Sequence, residues 1–156
     1  MFFIPEKIEQ SLRYDGIEEV GYLFGLEYDP DFVIISKLIT ARGNIHIVSE
    51  RDLKILNAVS SVSSGYEVVS YHTHPLEGPS KGDLRQYYEM VKVEGVRFIA
   101  IGTPSRLLLY RASKLPNDNV LLKREKYTIR NLYPKGKRES IKLMRKLQQL
   151  TSWEIL

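Results

Sequence analysis

Cysteine is absent from the 156 residues of this chain, and its absence excludes several kinds of chemistry. A thiol nucleophile, a disulfide framework and a cysteine-ligated zinc knuckle are all ruled out. Linker-like tracts rich in Gly, Ser or Pro are missing too, since the nearest candidate, residues 60–65, is short enough to be a helix end and a turn. Neither an internal repeat nor a low-complexity segment is visible. We therefore expect one domain over residues 1–156.

Long apolar runs are missing as well. No stretch approaches the about 20 residues that span a bilayer. The apolar residues 1–5 are too few for a signal peptide, and no basic segment precedes them. We therefore expect a soluble, cytoplasmic protein. The composition, 43% apolar and 27% charged, suits a chain that buries a genuine core.

The most informative motif carries three side chains of types that bind metals: His72, His74 and Asp83. Residues 67–71 are β-branched and aromatic, which predicts a strand that runs into the two histidines. Side chains two apart on a strand share a face, so these imidazoles project together. Ser80 then predicts a helix N-cap, with Asp83 in the first turn. Two imidazoles and one carboxylate leave the fourth position of a tetrahedral zinc open, as in a catalytic site.

Each half of this motif also has an ordinary structural explanation. Ser-x-x-Asp before a helix is a capping pattern, and histidine is common on strands. Their combination in one strand, loop and helix favours the metal site. Such a site needs a carboxylate outside the ligand set to take a proton from water. Glu18 and Glu19 stand at the start of a predicted strand, and because neighbouring strand residues face opposite ways, one of the two can reach the metal.

These residues together resemble the signature of the JAMM (MPN+) zinc metalloprotease family, in its prokaryotic single-domain form. The matching positions are Glu18-x-x-Gly21-x-Leu23-x-Gly25, His72-x-His74-Pro75 and Ser80-x-x-Asp83. The resemblance implies that His72, His74 and Asp83 bind Zn²⁺. It also implies that Glu18 is the general acid/base and that Ser80 steadies the tetrahedral intermediate.

The resemblance further implies a fold and an activity. The fold is of the α/β (α+β) class, a mixed and mostly antiparallel sheet flanked by helices, similar to that of cytidine deaminases. The activity is hydrolysis of amide or isopeptide bonds at the C-terminus of ubiquitin-like modifier proteins, as in a deubiquitinase. Two alternatives remain open: an amidase or peptidase that processes a sulfur-carrier protein, and a non-catalytic MPN scaffold. The complete residue set argues against the scaffold.

Two features depart from the family pattern or compete with it. The nine positions from His74 to Asp83 make a shorter loop than is usual in the family, which affects the shape of the loop. Glu19 competes with Glu18 as the base, but the Glu-x-x-Gly register favours Glu18, and we interpret Glu19 as a solvated surface carboxylate. The third histidine, His46, is interpreted as an ordinary strand residue.

Hydrophobic periodicity and turn residues give the remaining elements. Predicted helices cover about 5–14, 49–63, a segment from 80 onward, and 139–150. Predicted strands cover about 20–28, 32–41, 45–48, 67–74, 97–102, 106–112 and 120–132. Most of Tyr87, Tyr88 and Tyr110 are interpreted as core or half-buried packing residues because they fall at helical or strand spacing.

Much of the basic surplus behind the net charge of +4 lies late in the chain, where six lysines and arginines follow Tyr133, partly on the last predicted helix. That helix is expected to turn Ile141, Met144, Leu147 and Leu150 inward and its cations to solvent. The functional alternative is capture of an acidic partner such as a ubiquitin-like protein or its conjugates, with nucleic acid a weaker possibility.

Overall fold

The computed structural model describes residues 2–28, 31–42, 66–94, 96–117, 119–132 and 134–150, without the side chains at 28, 31, 35–36, 38–42, 83, 86, 93–94 and 147–150. These ranges hold eight strands and three helices. The strands are β1 (Phe2–Ile4), β2 (Glu19–Tyr28), β3 (Asp31–Arg42), β4 (Glu67–Thr73), β5 (Phe98–Gly102), β6 (Leu107–Lys114), β7 (Val120–Glu125) and β8 (Tyr127–Ile129). The helices are α1 (Glu6–Ser11), α2 (Lys81–Glu94) and α3 (Pro134–Leu150).

All eight strands belong to one mixed sheet in the order β7-β6-β5-β4-β2-β3-β1-β8. Four of the seven pairings are antiparallel and three are parallel. The edge strands β7 and β8 are separated in the chain by Lys126 alone, so the last residue of β7 and the first residue of β8 lie close together in space. The sheet therefore rolls up into a nearly closed barrel. The expectation of a mixed sheet with helices packed on it is confirmed.

The inner face of this rolled sheet holds the largest core cluster. It unites side chains from β1 to β6 with Ile8 of α1 and with Leu12, the C-cap of that helix. Phe2 stacks on Phe32 at 5.3 Å and meets the edge of Phe98 at 4.9 Å between ring centroids. Helix α1 therefore lies against the inner face, and most of the strand residues that point inward are apolar and buried.

The outer face carries the other two helices. Helix α2 covers β5 and β6 through Tyr87 and Val91, which are buried with Ile99, Ile101 and Leu108. Helix α3 covers β2 and β3 through Leu143, which is buried with Phe24 and Val33. In β4 the inward residues 69, 71 and 73 are buried and the outward residues 68, 70 and 72 are half-buried. The strand between the two helices is thus the less covered part of this face.

Helix α3 differs from its prediction in start and in register. It begins at Pro134, a residue that the first turn of a helix accepts because it needs no N–H there. Leu143 is fully buried and Ile141 is 52% exposed, so the prediction that Ile141 faces inward is wrong. Two residues turn a helix by about 200°, and the burial of Leu143 therefore points Ile141 to solvent.

Other predicted boundaries also change. The single strand expected over 120–132 is two strands, because β7 pairs with β6 and β8 pairs with β1 on the other edge of the sheet. Strand β1 was not predicted from the sequence. Tyr87 is buried as expected, whereas Tyr88 is 42% exposed. The predicted strand 45–48 with His46, and the predicted helix 49–63, lie outside the described residues. None of the helices in the described ranges has the length and apolarity needed to cross a membrane.

Candidate metal and catalytic site

The two motif histidines lie at the end of the central strand β4. This strand is flanked by β2, which runs antiparallel to it, and by β5, which runs parallel. His72 pairs with Val20 on one side and Ile101 on the other. The next residue but one, His74, is held at the end of β5, because its N–H donates to the carbonyl oxygen of Gly102 at 3.1 Å. Both ends of the short motif are therefore fixed by backbone pairing.

The two imidazole rings are close enough to bind one metal ion. Their centroids are 5.0 Å apart and their planes are inclined by 55°. Two imidazoles bound to one tetrahedral zinc through Zn–N bonds of about 2.0–2.1 Å place their centroids about 5 Å apart. His74 is 6% exposed and His72 is half-buried, so the pair lies at the boundary of the core. The donor types and their separation fit zinc.

Helix α2 approaches the histidines with its first two turns. The carbonyl oxygen of Ser80 accepts the first helical hydrogen bond, from the N–H of Leu84 at 3.0 Å, which places Ser80 at the N-cap as predicted. One turn further, Tyr87 is 3% exposed and its hydroxyl lies 3.1 Å from Nδ1 of His72. Residues four apart share a helix face, so Asp83 occupies the position one turn before Tyr87 on the face that meets His72.

The side chain of the third expected ligand, Asp83, lies outside the described part of the chain. Within the residues whose side chains the structure describes, no group of three His, Asp or Glu residues lies together as a metal site. The described part of the candidate site therefore consists of the two histidines and the backbone of the helix that carries Asp83.

The start of β2 lies beside the histidines on the neighbouring strand. Because Val20 is directly opposite His72 in an antiparallel pair, continuing the register by two residues brings Glu18 opposite His74. Side chains of opposed residues lie on the same face of a sheet, and residues two apart keep that face. The register thus assigns Glu18 to the outer face, with both histidines, and its side chain is half-buried.

Glu19 belongs to the opposite face, and its interpretation as a solvated carboxylate is wrong. It is 6% exposed, and its Oε2 lies 3.0 Å from Nζ of Lys37 and 3.2 Å from the hydroxyl of Tyr71. The physical reason is that α1 covers the inner face, so the inner face of the strand is buried at this point. A lone lysine in the apolar run of residues 33–39 was the sequence signal, since a buried ammonium needs a carboxylate.

The loop between the histidines and α2 is tied to the turn between β5 and β6. Oε2 of Glu77 accepts hydrogen bonds from the hydroxyls of Ser105 at 2.6 Å and Thr103 at 3.0 Å. The Ser105 bond is the main reason that the pKa of Glu77 is below its ordinary value. Partial desolvation raises this pKa, but the Thr103 bond and the charge of Arg106 lower it further. This exposed carboxylate therefore anchors the loop that leads to Ser80.

Tyr66 makes a second tie at the opposite end of β4. Its hydroxyl donates to Oε2 of Glu139 on α3 at 2.9 Å. Burial, together with this bond and the charge of Glu139, raises the pKa of Tyr66 to about 12. The tyrosine therefore remains protonated, and it joins α3 to the beginning of the histidine strand.

Sequence reasoning did not find Tyr87, Lys37 or Glu77 as parts of this region. Tyr87 stands four residues after Asp83, and this spacing was the available signal for a residue on the same helix face.

Comparison with known proteins identifies no relative of this chain. It matches no protein-family profile, and no curated protein sequence is significantly similar to it.

Proposed function

We propose that this chain is a zinc-dependent isopeptidase that hydrolyses amide or isopeptide bonds at the C-terminus of ubiquitin-like modifier proteins. The observation that supports it most is the pair of imidazoles 5.0 Å apart at the end of β4, next to the strand start that carries Glu18. A separation of about 5 Å suits two histidines on one zinc, and a carboxylate on the same face is what a hydrolytic zinc site requires.

His72, His74 and Asp83 are the residues that would hold the zinc. When bound, the zinc supplies Lewis acidity, which polarises the scissile carbonyl and makes water more acidic. Glu18 accepts the proton of the attacking water and passes it to the nitrogen of the leaving amine as the C–N bond breaks. The hydroxyl of Ser80 donates a hydrogen bond to the developing oxyanion. The products are a carboxylic acid and an amine.

The composition agrees with direct attack by water. The absence of cysteine removes the thiol route to a covalent intermediate, which is the other common way to hydrolyse such bonds. The position of Ser80 at the N-cap of α2 places its hydroxyl where the first backbone N–H groups of the helix also point, a setting that favours negative charge.

The test compares zinc content and turnover in three variants of the whole chain. Wild type should bind about one zinc per chain after dialysis against metal-free buffer, and Asp83→Ala should lose it. Glu18→Gln should keep the zinc and lower kcat by about 10²–10⁴-fold, because it removes the proton carrier alone. Glu27→Gln is the matched control, since Glu27 is exposed on the same strand, and it should change neither quantity.

The substrate for these assays is a peptide that ends in two glycines joined to a fluorogenic amine. Hydrolysis that depends on added zinc and on Glu18 would support the proposed reaction. Full activity in Glu18→Gln would contradict the assignment of the base. Absence of zinc from wild type, even after zinc is added back, would contradict the proposal as a whole and favour a scaffold.

A further inference from the structure

A buried charged cluster lies behind the start of β2, on the face opposite the histidines. Its centre is the ion pair between Glu19 and Lys37, 3.0 Å from Oε2 to Nζ, with side chains 8% and 1% exposed. The hydroxyl of Tyr71 donates to the same carboxylate oxygen at 3.2 Å, and the Lys37 ammonium lies 5.2 Å from the centroid of the Tyr71 ring. Lys37 also donates to the carbonyl oxygen of Ser11 at 2.8 Å.

The cluster connects four elements at one point. Lys37 comes from β3, Tyr71 from β4, Ser11 from the end of α1, and Glu19 is the first residue of β2. A buried charge is costly unless it is paired and hydrogen-bonded, so this arrangement is favourable in one mutual position of the four elements. The cluster therefore opposes displacement of the β2 start along its neighbours.

The backbone of Glu19 adds a second attachment to the same strand. Its N–H donates to Oγ1 of Thr73 at 2.8 Å, and Thr73 is 1% exposed. One residue thus holds the end of β4 through its main chain and through its side chain. Thr73 stands between His72 and His74, so the attachment lies directly behind the two histidines.

The identity of the base depends on this register. Glu18 and Glu19 carry the same functional group, and they differ in the side of the sheet that each occupies. A slip of one residue in strand pairing exchanges the two faces. With the observed pairing of Val20 and His72, the continued register puts position 18 on the outer face, and Glu19 is buried inside.

We propose that Glu19, with Lys37, is a positioning residue that locks the start of β2 onto the end of β4 and so keeps Glu18 on the histidine face. The effect on turnover rests on the function proposed above, whereas the locked register does not depend on it. Glu19 does not act on the substrate. Its action is transmitted through the backbone and the pairing of Val20.

The experiment uses the double variant Glu19→Gln/Lys37→Met in the full chain. A buried ion pair replaced on both sides by neutral groups of similar volume is often tolerated, whereas a single substitution leaves one buried charge unpaired. Glu67→Gln/Arg97→Met is the matched control, because it removes an ion pair of 3.3 Å at the other end of β4. Melting temperature, zinc content, KM, kcat and amide hydrogen exchange are measured for both variants and for wild type.

The expected result is specific to the site. The Glu19→Gln/Lys37→Met variant should fold and keep its zinc and KM, while kcat falls at least tenfold. Amide exchange at residues 19–22 should accelerate at least tenfold, with no change at residues 99–101. The control variant should match wild type in kcat and in exchange at residues 19–22.

Each contrary result has one meaning. Wild-type exchange at residues 19–22 together with wild-type kcat in the double variant would overturn the proposal. If wild type proves to have no zinc and no hydrolytic activity, the proposed function fails, and the exchange at residues 19–22 still decides whether Glu19 and Lys37 lock the register. Should the double variant fail to fold, Tyr71→Phe gives the same readouts, because it removes the hydroxyl that donates to the Glu19 carboxylate and leaves both charges paired.

Discussion

The hydroxyl oxygen of Tyr87 lies 3.1 Å from Nδ1 and 3.3 Å from Nε2 of His72, which links helix α2 directly to the histidine strand. Tyr87 is also part of the apolar cluster under α2, with 3% of its surface exposed. Its ring is therefore fixed by packing, and its hydroxyl is presented to the imidazole. Because this oxygen is nearly equidistant from the two ring nitrogens, it lies against the face of the imidazole and restrains the orientation of the ring.

Tyr87→Phe should weaken zinc binding without unfolding the protein. The substitution keeps the buried ring and removes the hydroxyl that contacts His72. We expect the zinc dissociation constant to rise by about 10-fold at most, the low end of the range for a lost partner of a metal-binding histidine, because the hydroxyl contacts the ring face and not one nitrogen alone. The free energy of unfolding should fall by about 1.5 kcal/mol at most, the value of one hydrogen bond. Chelator competition gives the first quantity and urea unfolding the second.

Tyr88→Phe is the matched control for this substitution. Tyr88 is the next residue on the same helix, it undergoes the same chemical change, and it is 42% exposed. Its zinc affinity should equal that of wild type. If the two variants bind zinc equally well, the contact between Tyr87 and His72 has no role in the metal site.

The faces of the strands were predictable from the sequence where side chains alternate. The β-branched run before His72 predicted β4, and alternation placed both histidines on one side, as the 5.0 Å ring separation reflects. Ser80 predicted the start of α2 because a capping residue has a local signature. These predictions depend on neighbours along the chain, which a sequence displays directly.

Features that depend on long-range packing were not predictable in the same way. In the sequence Glu19 resembles a surface carboxylate, because its partner Lys37 is 18 residues away and reaches it only when β3 pairs with β2. The strand expected over 120–132 is interrupted at Lys126 because β7 pairs with β6 and β8 pairs with β1, at opposite edges of the sheet. A local sequence pattern carries no information about this pairing. The inward face of α3 is likewise chosen by β2 and β3, and the apolar pattern of the helix alone allowed Ile141 as an inward residue.

The orientation of α3 can be tested by two truncations on the same helix. Leu143 is completely buried with Phe24 and Val33, so Leu143→Ala should lower the free energy of unfolding by about 2–5 kcal/mol. Ile141 is 52% exposed, and Ile141→Ala should change it by about 0.5 kcal/mol or less. Urea unfolding of both variants measures the difference. Equal losses would mean that both side chains are buried in solution.

The Glu77 loop anchor predicts a dependence of stability on pH. Hydrogen bonds from Ser105 first, and from Thr103, hold the pKa of Glu77 below its ordinary value of 4.5. A carboxyl whose folded pKa is depressed stabilises the fold above its unfolded pKa, and this contribution is lost as the pH falls through the folded value. Wild type should therefore exceed Glu77→Gln in stability at neutral pH, and the difference should vanish in acid.

Unfolding titrations of the two proteins from neutral pH to well below 4.5 measure this difference. The contribution is expected to be small because the carboxylate is exposed to solvent. Glu89→Gln, a change of another exposed carboxylate, on α2, is the control and should run parallel to wild type. A difference between wild type and Glu77→Gln that grows toward low pH would contradict the anchor.

Gly102 provides the last prediction, because the end of β5 passes against the end of α1. A Cβ atom at this position would collide with the carbonyl oxygen of Leu12 and lie 2.8 Å from Cγ2 of Thr73. Both contacts are with fixed parts of the structure, so Gly102→Ala should lower the free energy of unfolding by about 3 kcal/mol or more. In Gly78→Ala the added methyl group meets no described atom within 4 Å, and stability should remain within about 1 kcal/mol of wild type.

The Gly102 variant should also affect the proposed metal site, since the carbonyl oxygen of Gly102 accepts the backbone hydrogen bond of His74. Displacement of this strand end moves His74 away from the position that sets its distance to His72. We therefore expect weaker zinc binding in Gly102→Ala under conditions in which the variant is still folded. Zinc titration below the midpoint of thermal unfolding measures it, and wild-type affinity in a folded but destabilised variant would show that His74 is positioned independently of β5.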